Sequence, residues 1–359
     1  MDSRNISSGR ATLAKIADEA SVSMSTVSKV LNGRPGVSEP VRARIEGLLA
    51  TSGYQRRADE NSRSSFIELV FAGTDNILSG WSLALIGGVD RVCRANGLSV
   101  LLTMSGDHHS PAQDWIRDAI ARNPAGVILV SSVLSDDSKL RLRTRGIPVV
   151  LVDPAGDPAP DVASIGSGNW SGALVATQHL IGLGHERIGL ITGSADVMSS
   201  QARVSGYRAA LTKAGIEFDP ALVIAGDYQY SDGVEGGTRL LSAADPPTAI
   251  FAANDQQAFG IYEAARSLGL SIPGDVSVVG FDDIPPAQWM SPQLTTVHQP
   301  LAEMAEQATR FILAMHGDAD PSTMRVELAT SLIVRGSTAP PAIAKHADRA
   351  ASGTGSHRT

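Results

Sequence analysis

From residue 66 onward the chain alternates short apolar runs with amphipathic helical stretches, and this alternation narrows the choice of fold more than any other feature. Apolar runs at 67–71, 99–103, 126–130 and 148–153 are separated by helix-period stretches near 82–96 and 114–122. Each run is the length of a strand, and a helix between consecutive strands returns the chain to the same edge, so the sheet is parallel with both faces covered. The pattern restarts at Ser164, with helices at 172–183, 202–214, 233–241 and 257–268 between strands at 187–192, 222–225, 249–252 and 277–281. Two doubly wound halves in tandem place a ligand in the cleft between them, at the carboxyl ends of their strands.

Composition sets outer limits. A chain of 359 residues exceeds one hydrophobic core and predicts two or three domains. With 43% hydrophobic and 19% charged residues and a mean hydropathy of +0.01, neither a disordered chain nor a membrane bundle fits. No run approaches the ~18 apolar residues of a spanning helix. The first ten residues lack the apolar stretch of a secretory signal, so a cytoplasmic, nucleoid-associated protein is expected. The lone cysteine, Cys93, leaves no disulfide framework and no cysteine-based metal site.

The net charge of −7 is unevenly spread. Residues 1–63 carry ten Lys/Arg against seven Asp/Glu, a net of +3, so the remainder stands at −10. A basic head on an acidic body suggests a polyanion-binding module joined to a domain with other business. In that head, Leu13, Ile16, Ala17 and Ala20 form one helical stripe behind a plausible cap at Thr12. Ser23 can cap a second helix running to about Leu31, with Val27, Val30 and Leu31 inward and Met24, Ser25, Ser28 and Lys29 outward. Asn32-Gly33 stops it, and Ser38-Glu39-Pro40 opens a third helix with Val41, Ile45, Leu48 and Leu49 on its core face. Three short helices with a tight first turn are the helix-turn-helix layout. Hydroxyl groups and a lysine on the outward face suit phosphates and base edges, whereas a packing surface would be apolar.

The run VSMSTVSKVLNGRPGVSEPVRARI, followed by Gly53-Tyr54, resembles the headpiece of the LacI family of bacterial repressors. The resemblance implies that Met24 and Ser25 read bases, and that Thr26, Ser28, Lys29 and Asn32 meet phosphates and the groove edge; Thr12 and Ser23 join this DNA-binding set. Two positions depart from the family pattern. Ser21 stands where the family usually has Gly, and Lys29 where it usually has Arg, which removes a bidentate guanine contact. Residues 55–66, QRRADENSRSSF, form a segment shorter by about one helical turn than in most family members, which carry there a hinge helix that wedges a leucine into the minor groove. This segment has no leucine and reads as a polar linker, with Arg56 and Arg57 able to neutralise phosphates.

The resemblance extends over the body through HLIGLGHERIGLITG, RVSGYRAAL, AIFAANDQQAFG, VSVVGFDD and PQLTTVHQP, which follow the family's order. It implies a periplasmic-binding-protein-like body whose pocket binds a small effector. Arg203, before Gly206-Tyr207, offers a planar fork for a hydroxyl pair or a carboxylate. Asn254 and Asp282 end strands and match effector-binding positions, while Asp255 and Asp283 are expected to cap the turns that follow. Trp81 and Tyr228 stand at aromatic positions of the pocket, where a ring stacks on the apolar face of a pyranose. Asp153 and Gln299 complete the candidate effector set.

Other signals are weaker. Gly166-Ser167-Gly168 lacks the third glycine of a dinucleotide loop, His108-His109 has no matching ligands, and His185-Glu186 lacks a second histidine. No nucleophile, phosphate loop or metal-spaced histidine accompanies the acidic pairs, so no enzyme, no cofactor and no metal is expected. The expected architecture is an all-α helix-turn-helix headpiece at 1–54, a linker at 55–66, and an α/β body at 67–337. The body is expected to divide into two parallel-sheet subdomains, 67–163 with 295–325 and 164–290 with 326–337, followed by a disordered tail at 338–359. The expected function is a homodimeric repressor on a near-palindromic operator, released by a small carbohydrate, with no membrane partner. The competing readings are a solute-binding sensor or transport protein without a DNA role, and a sugar-modifying enzyme.

Overall fold

The computed structural model describes residues 12–31, 34, 36–52, 64–71, 79–106, 113–317 and 319–342. Helices α1 (Leu13–Glu19), α2 (Met24–Leu31) and α3 (Glu39–Thr51) form the amino-terminal headpiece. Their apolar stripes meet in one core of Ile16, Ala17, Ala20, Val27, Val30, Leu31, Ile45 and Leu49. Both caps foreseen from the sequence are present: Thr12 Oγ1 accepts the Lys15 amide at 3.4 Å, and Ser23 Oγ accepts the Thr26 amide at 3.1 Å. The turn between α1 and α2 passes through Ser21 at φ +52°, a left-handed conformation that a Cβ disfavours. That is the physical reason a glycine suits this position better than a serine.

The chain divides into two units, the first comprising residues 1–166 and 301–327 and the second 167–300 and 328–359. In the first, β1 (Phe66–Phe71), β2 (Ser99–Met104), β3 (Gly126–Val130), β4 (Val149–Val152), β5 (Ala163–Ser167) and β11 (Arg325–Leu328) form a sheet of order β11-β5-β4-β3-β1-β2. Neighbours from β5 to β2 pair in parallel, as crossover helices require. The helices of this unit are α4 (Gly80–Ala95), α5 (Gln113–Arg122), α6 (Asp136–Thr144) and α11 (Leu301–Met315). β1 contributes Ile67, Leu69 and Val70 to the interior, and with them Glu68, fully buried and paired with Arg122 and the Thr103 hydroxyl.

In the second unit, β6 (Ile188–Ile191), β7 (Val223–Ile224), β8 (Ala249–Ala252), β9 (Ser277–Asp282), β10 (Thr295–His298) and β12 (Ser331–Ile333) take the order β12-β10-β9-β8-β6-β7. All pair in parallel except the antiparallel β10–β12 edge. Helices α7 (Asn169–Gly182), α8 (Met198–Ala214), α9 (Tyr230–Leu241) and α10 (Asp255–Ser267) cover it. The RVSGY motif shows why these residues occur together. A Cβ on Gly206 would lie 2.3 Å from the Trp170 carbonyl, so only glycine lets α8 approach α7. Next to it, the buried Tyr207 donates from its hydroxyl to Ile188 O at 2.7 Å and ties α8 to the sheet.

The subdomain limits differ from those expected. Residues 164–167 lie in β5, which pairs with β4 of the first sheet, so the second unit begins at Ser167. Residues 295–300, expected in the first unit, belong to the second because β10 pairs with β9. Residues 325–328 form the edge strand of the first sheet, and the chain returns to the second unit only at Leu328. Strand pairing decides these limits, and pairing partners are distant in sequence. Helix α6 was not foreseen, since DDSKLRLRT carries too few apolar residues for a clear stripe. It stands on an N-cap from Ser135 to the Ser138 amide, with Asp136 and Asp137 in its first turn and Arg141 and Arg143 in its last, the arrangement a helix dipole favours.

Candidate functional site

On the headpiece, burial separates the two faces of α2. Val27, Val30 and Leu31 are buried, while Ser23, Met24, Ser25 and Lys29 are exposed and Thr26 and Ser28 half-buried; Met24 is 56% exposed. An exposed methionine thus stands beside hydroxyls and a lysine at the start of a second helix. The Ser23 hydroxyl is engaged as a cap and also meets Ser25 Oγ at 2.7 Å and Thr26 Oγ1 at 2.8 Å, so this corner is held before any partner arrives. Thr12 caps α1 and remains exposed. Asn32, Arg56 and Arg57, also expected to touch DNA, lie outside the described residues, as do most of the linker and His108-His109.

On its rear the headpiece is bonded to the body of its own unit by Arg145. Arg145, just beyond α6 and 7% exposed, donates from Nε to Leu31 O and from Nη2 to Val30 O, both at 3.0 Å, with Glu46 Oε1 at 3.4 Å. These carbonyls are the unpaired end of α2, where a cation is favoured electrostatically. Burial pulls the Arg145 guanidinium below its usual range, and the Glu46 carboxylate opposes that shift.

In the second unit, the carboxyl ends of β6, β8 and β9 gather five of the expected effector residues. Arg203, 3% exposed, reaches from the second turn of α8 rather than from its start, because the helix begins at Met198. Its Nε donates to Asn169 Oδ1 at 2.9 Å and its Nη1 to the Ala253 carbonyl, while its guanidinium lies 3.8 Å from the centre of the Phe281 ring and 5.6 Å from that of Tyr228. A ring face under a guanidinium compensates for lost water. Asn254 donates from Nδ2 to the Tyr228 carbonyl at 2.9 Å, which fixes the loop that carries Tyr228 at φ +63°. The Tyr228 hydroxyl meets Ser199 Oγ at 3.2 Å. Gln299 bridges the cluster's far side, donating to Asp282 Oδ1 at 2.5 Å and accepting from Ser167 Oγ at 2.6 Å.

The remaining two, Trp81 and Asp153, lie in the first unit. Trp81 is half-buried in the first turn of α4, behind the Ser79 cap, and Asp153 follows β4 at φ +47°, its amide held by Ile165 O at 2.8 Å. Both follow the carboxyl ends of strands in their own sheet.

Two roles differ from those expected. Asn254 is itself the N-cap of α10, its Oδ1 accepting the Gln257 amide at 2.9 Å. Asp255, expected to cap, instead accepts the Ile284 amide and the Thr296 hydroxyl. Sequence reasoning did not single out Asn169, Ser199, Ser167 or Phe281. Phe281 lies inside VSVVGFDD and could have been read as part of the site; Asn169 and the two serines carry no local signal of a site, because only tertiary packing brings Asn169 to Arg203, Ser199 to Tyr228 and Ser167 to Gln299. Among the described residues, no group of three or more His, Cys, Asp or Glu is placed to hold a metal ion, and no helix is long and apolar enough to cross a membrane.

Comparison with known proteins gives the family. Residues 12–57 match the model of bacterial regulatory proteins of the lacI family, and residues 177–338 match a periplasmic binding protein-like domain. The ribose operon repressor of Escherichia coli K12 is 33% identical over 333 residues, covering 91% of this chain and 99% of that protein. The chain belongs to the lacI family. Catabolite control protein A of Priestia megaterium is 28% identical over 306 residues, covering 84% of this chain and 91% of its own length. Among solved structures, a complex of the transcriptional regulator CelR with cellobiose superposes with a TM-score of 0.71 at 31% identity, covering 91% of this chain and all of that one. As a member of the lacI family the chain is a transcriptional regulator with an amino-terminal helix-turn-helix and two parallel-sheet α/β units, and its relatives are regulators rather than enzymes.

Proposed function

We propose that this chain is a cytoplasmic, nucleoid-associated repressor that binds a near-palindromic operator as a homodimer and is released by a small carbohydrate. The observation that carries the reading is the linked set Arg203, Asn169, Asn254, Tyr228, Asp282 and Gln299 at the carboxyl edge of the second sheet. It combines a buried cationic fork, amides, a carboxylate and an aromatic ring, the donors, acceptors and flat surface that a polyhydroxylated ring requires. Trp81 and Asp153, at the carboxyl edge of the first sheet, complete the proposed effector set. The exposed row Met24, Ser25 and Lys29 on α2, with Thr12, Ser23, Thr26 and Ser28 beside it, supplies the operator face. Asn32, Arg56 and Arg57 are assigned to that face from the sequence.

A relative named as a ribose operon repressor and a regulator solved with cellobiose favour a carbohydrate effector. By linkage, a sugar that weakens operator binding is itself bound more weakly by the operator complex, and by the same factor.

The test is fluorescence anisotropy against DNA from upstream of the protein's own gene and a scrambled control, at about 0.15 M salt where nonspecific binding is weak. Ribose and cellobiose head the sugar panel. Preferential binding reversed by one sugar supports the reading. Binding of a sugar with no preference for any DNA would favour the solute-sensor alternative.

A further inference from the structure

The carboxyl end of β9 makes an unusual turn. Asp282 and Asp283 follow one another at φ +116° and φ +57°, two consecutive non-glycine residues in left-handed conformations. Such a backbone persists only where its surroundings over-determine it. The group that does so is not part of the turn. Asp255, the first residue of α10 and completely buried, accepts the Ile284 amide on Oδ2 at 2.9 Å and the Thr296 hydroxyl on Oδ1 at 2.5 Å. Its carboxyl thus joins the end of β9 to β10 from a third element. The chain makes room for it at Gly280, where a Cβ would lie 2.3 Å from Asp255 Oδ1.

We propose that Asp255 is the positioning residue that sets the Asp282–Asp283 turn, and through it the direction in which Asp282 presents its carboxylate to the effector. The inference rests on the proposed effector role of Asp282. Asp255 touches no effector itself. It acts by fixing the amide that closes the turn, while Gln299 holds the Asp282 side chain from the opposite side at 2.5 Å.

The charges around it give this role a signature. Asp283 is neutralised by Arg335, at 2.6 Å from Oδ1, and meets His298 at 3.1 Å. Asp282 is held by an amide, and Arg203 is committed to Asn169 and Ala253. Among the described residues, no cation bonds to Asp255, and what favours its charge is the dipole at the start of α10 together with the bonds it accepts from Ile284 and Thr296. Burial pushes its carboxyl well above the usual carboxylate range and the neighbouring Asp282 charge adds to the shift, while the bonds from Thr296 and Ile284 oppose it. In the neutral acid, the carboxyl hydrogen points to Thr296 Oγ1 and the other oxygen still accepts the Ile284 amide. Ionisation strengthens the bonds from Ile284 and Thr296 but puts a second negative charge against Asp282, which displaces the Asp282 carboxylate, so effector affinity falls as pH rises.

The experiment compares the full-length parent with Asp255→Asn and Asp255→Ala. Calorimetry with ribose and then cellobiose is run from about pH 5 to about pH 9, a range that brackets a raised carboxyl titration. Amide exchange of the peptide covering residues 280–286 is followed without ligand, and operator binding is measured for each variant. Asp255→Asn keeps an acceptor for Ile284 and a donor to Thr296. It should bind the sugar within about fivefold of the parent and lose the parent's decline at high pH. Asp255→Ala should lose at least about thirtyfold in sugar affinity and exchange faster at 280–286, with operator affinity retained. Parental affinity and exchange in Asp255→Ala, or the parent's pH slope persisting in Asp255→Asn, overturns the proposal. If neither sugar binds the parent, the effector reading fails separately and exchange at 280–286 decides the positioning role. If Asp255→Ala does not fold, the pH slope of Asp255→Asn decides it.

Discussion

Arg203 and Asn169 face one another across α8 and α7, with Nε of the arginine donating to Oδ1 of the asparagine at 2.9 Å. The bond leaves the guanidinium oriented between the rings of Phe281 and Tyr228, so its position is set before any ligand arrives. Arg203→Ala should therefore abolish the sugar response, with at least a hundredfold loss of sugar affinity, about 3 kcal/mol. Operator affinity should stay near that of the parent, because the headpiece lies in the other unit. Titrating sugar into the protein–operator complex checks both, and a variant still released by sugar would sink the pocket assignment.

Lys29 is exposed in the last turn of α2, on the face opposite the headpiece core. Lys29→Ala should weaken operator binding several-fold and lower the salt slope by about one counterion, since an ammonium meets phosphate as a point charge. Sugar affinity should not change. Unaltered DNA affinity across a salt series would overturn the orientation assigned to α2.

Ser21 occupies a left-handed turn at φ +52°. Ser21→Gly should stabilise the headpiece by about 0.5–1 kcal/mol, the strain a Cβ brings there exceeding the entropy that glycine adds to the unfolded chain. Denaturant melting of the headpiece transition measures it. A lower midpoint in the glycine variant would show that the serine hydroxyl contributes more than the backbone strain costs.

Arg145 seals the end of α2 against the body by its bonds to Val30 O and Leu31 O. With it removed, those carbonyls and Glu46 lose their buried cation, so Arg145→Ala should undock the headpiece without unfolding either core. The expected readout is faster trypsin cleavage after Arg56, Arg57 and Arg63, several-fold above the parent. A cleavage rate equal to the parent's would mean that the bonds do not restrain the headpiece in solution.

His185 is 1% exposed, bonded through Nδ1 to Thr248 Oγ1 at 2.8 Å and through Nε2 to Ala339 O at 2.9 Å, and burial holds its pKa below the usual histidine value. His179, held down by burial as well, meets Thr338 Oγ1 at 2.9 Å. With folded-state values below 6.5, the unfolded chain binds more protons as pH falls through that value. The stability these residues contribute is therefore complete above about pH 6.5 and declines below it, levelling once pH passes the folded-state values. Thermal melts from about pH 8 to about pH 5 should show this decline, and His185→Gln should flatten it. A parent melting temperature independent of pH over that range would remove the latch that the two histidines place on residues 338 and 339.

Local signals made much of this protein legible. The caps at Thr12 and Ser23 and the stripe of Val27, Val30 and Leu31 depend on residues within a few positions of each other, so helix boundaries and faces could be read directly. The same holds for the strand–helix alternation, and for the positions of Asn254 and Asp282 at the carboxyl ends of their strands. Helix α6 escaped because charges and a cap define it rather than an apolar stripe.

Residue order by itself determined most of the element sequence, the headpiece fold and the positions of the side chains proposed to bind DNA or a polyhydroxylated ligand. Each follows from periodicity, capping and side-chain chemistry, whose range is one or two helical turns. Tertiary structure decided which unit residues 295–300 join, that Asn254 rather than Asp255 caps α10, and that Asn169 orients Arg203. It also decided that a carboxyl on α10 closes the turn after β9. These outcomes depend on which strands pair and which helices approach closely enough to exclude water, and those choices are made between residues tens of positions apart.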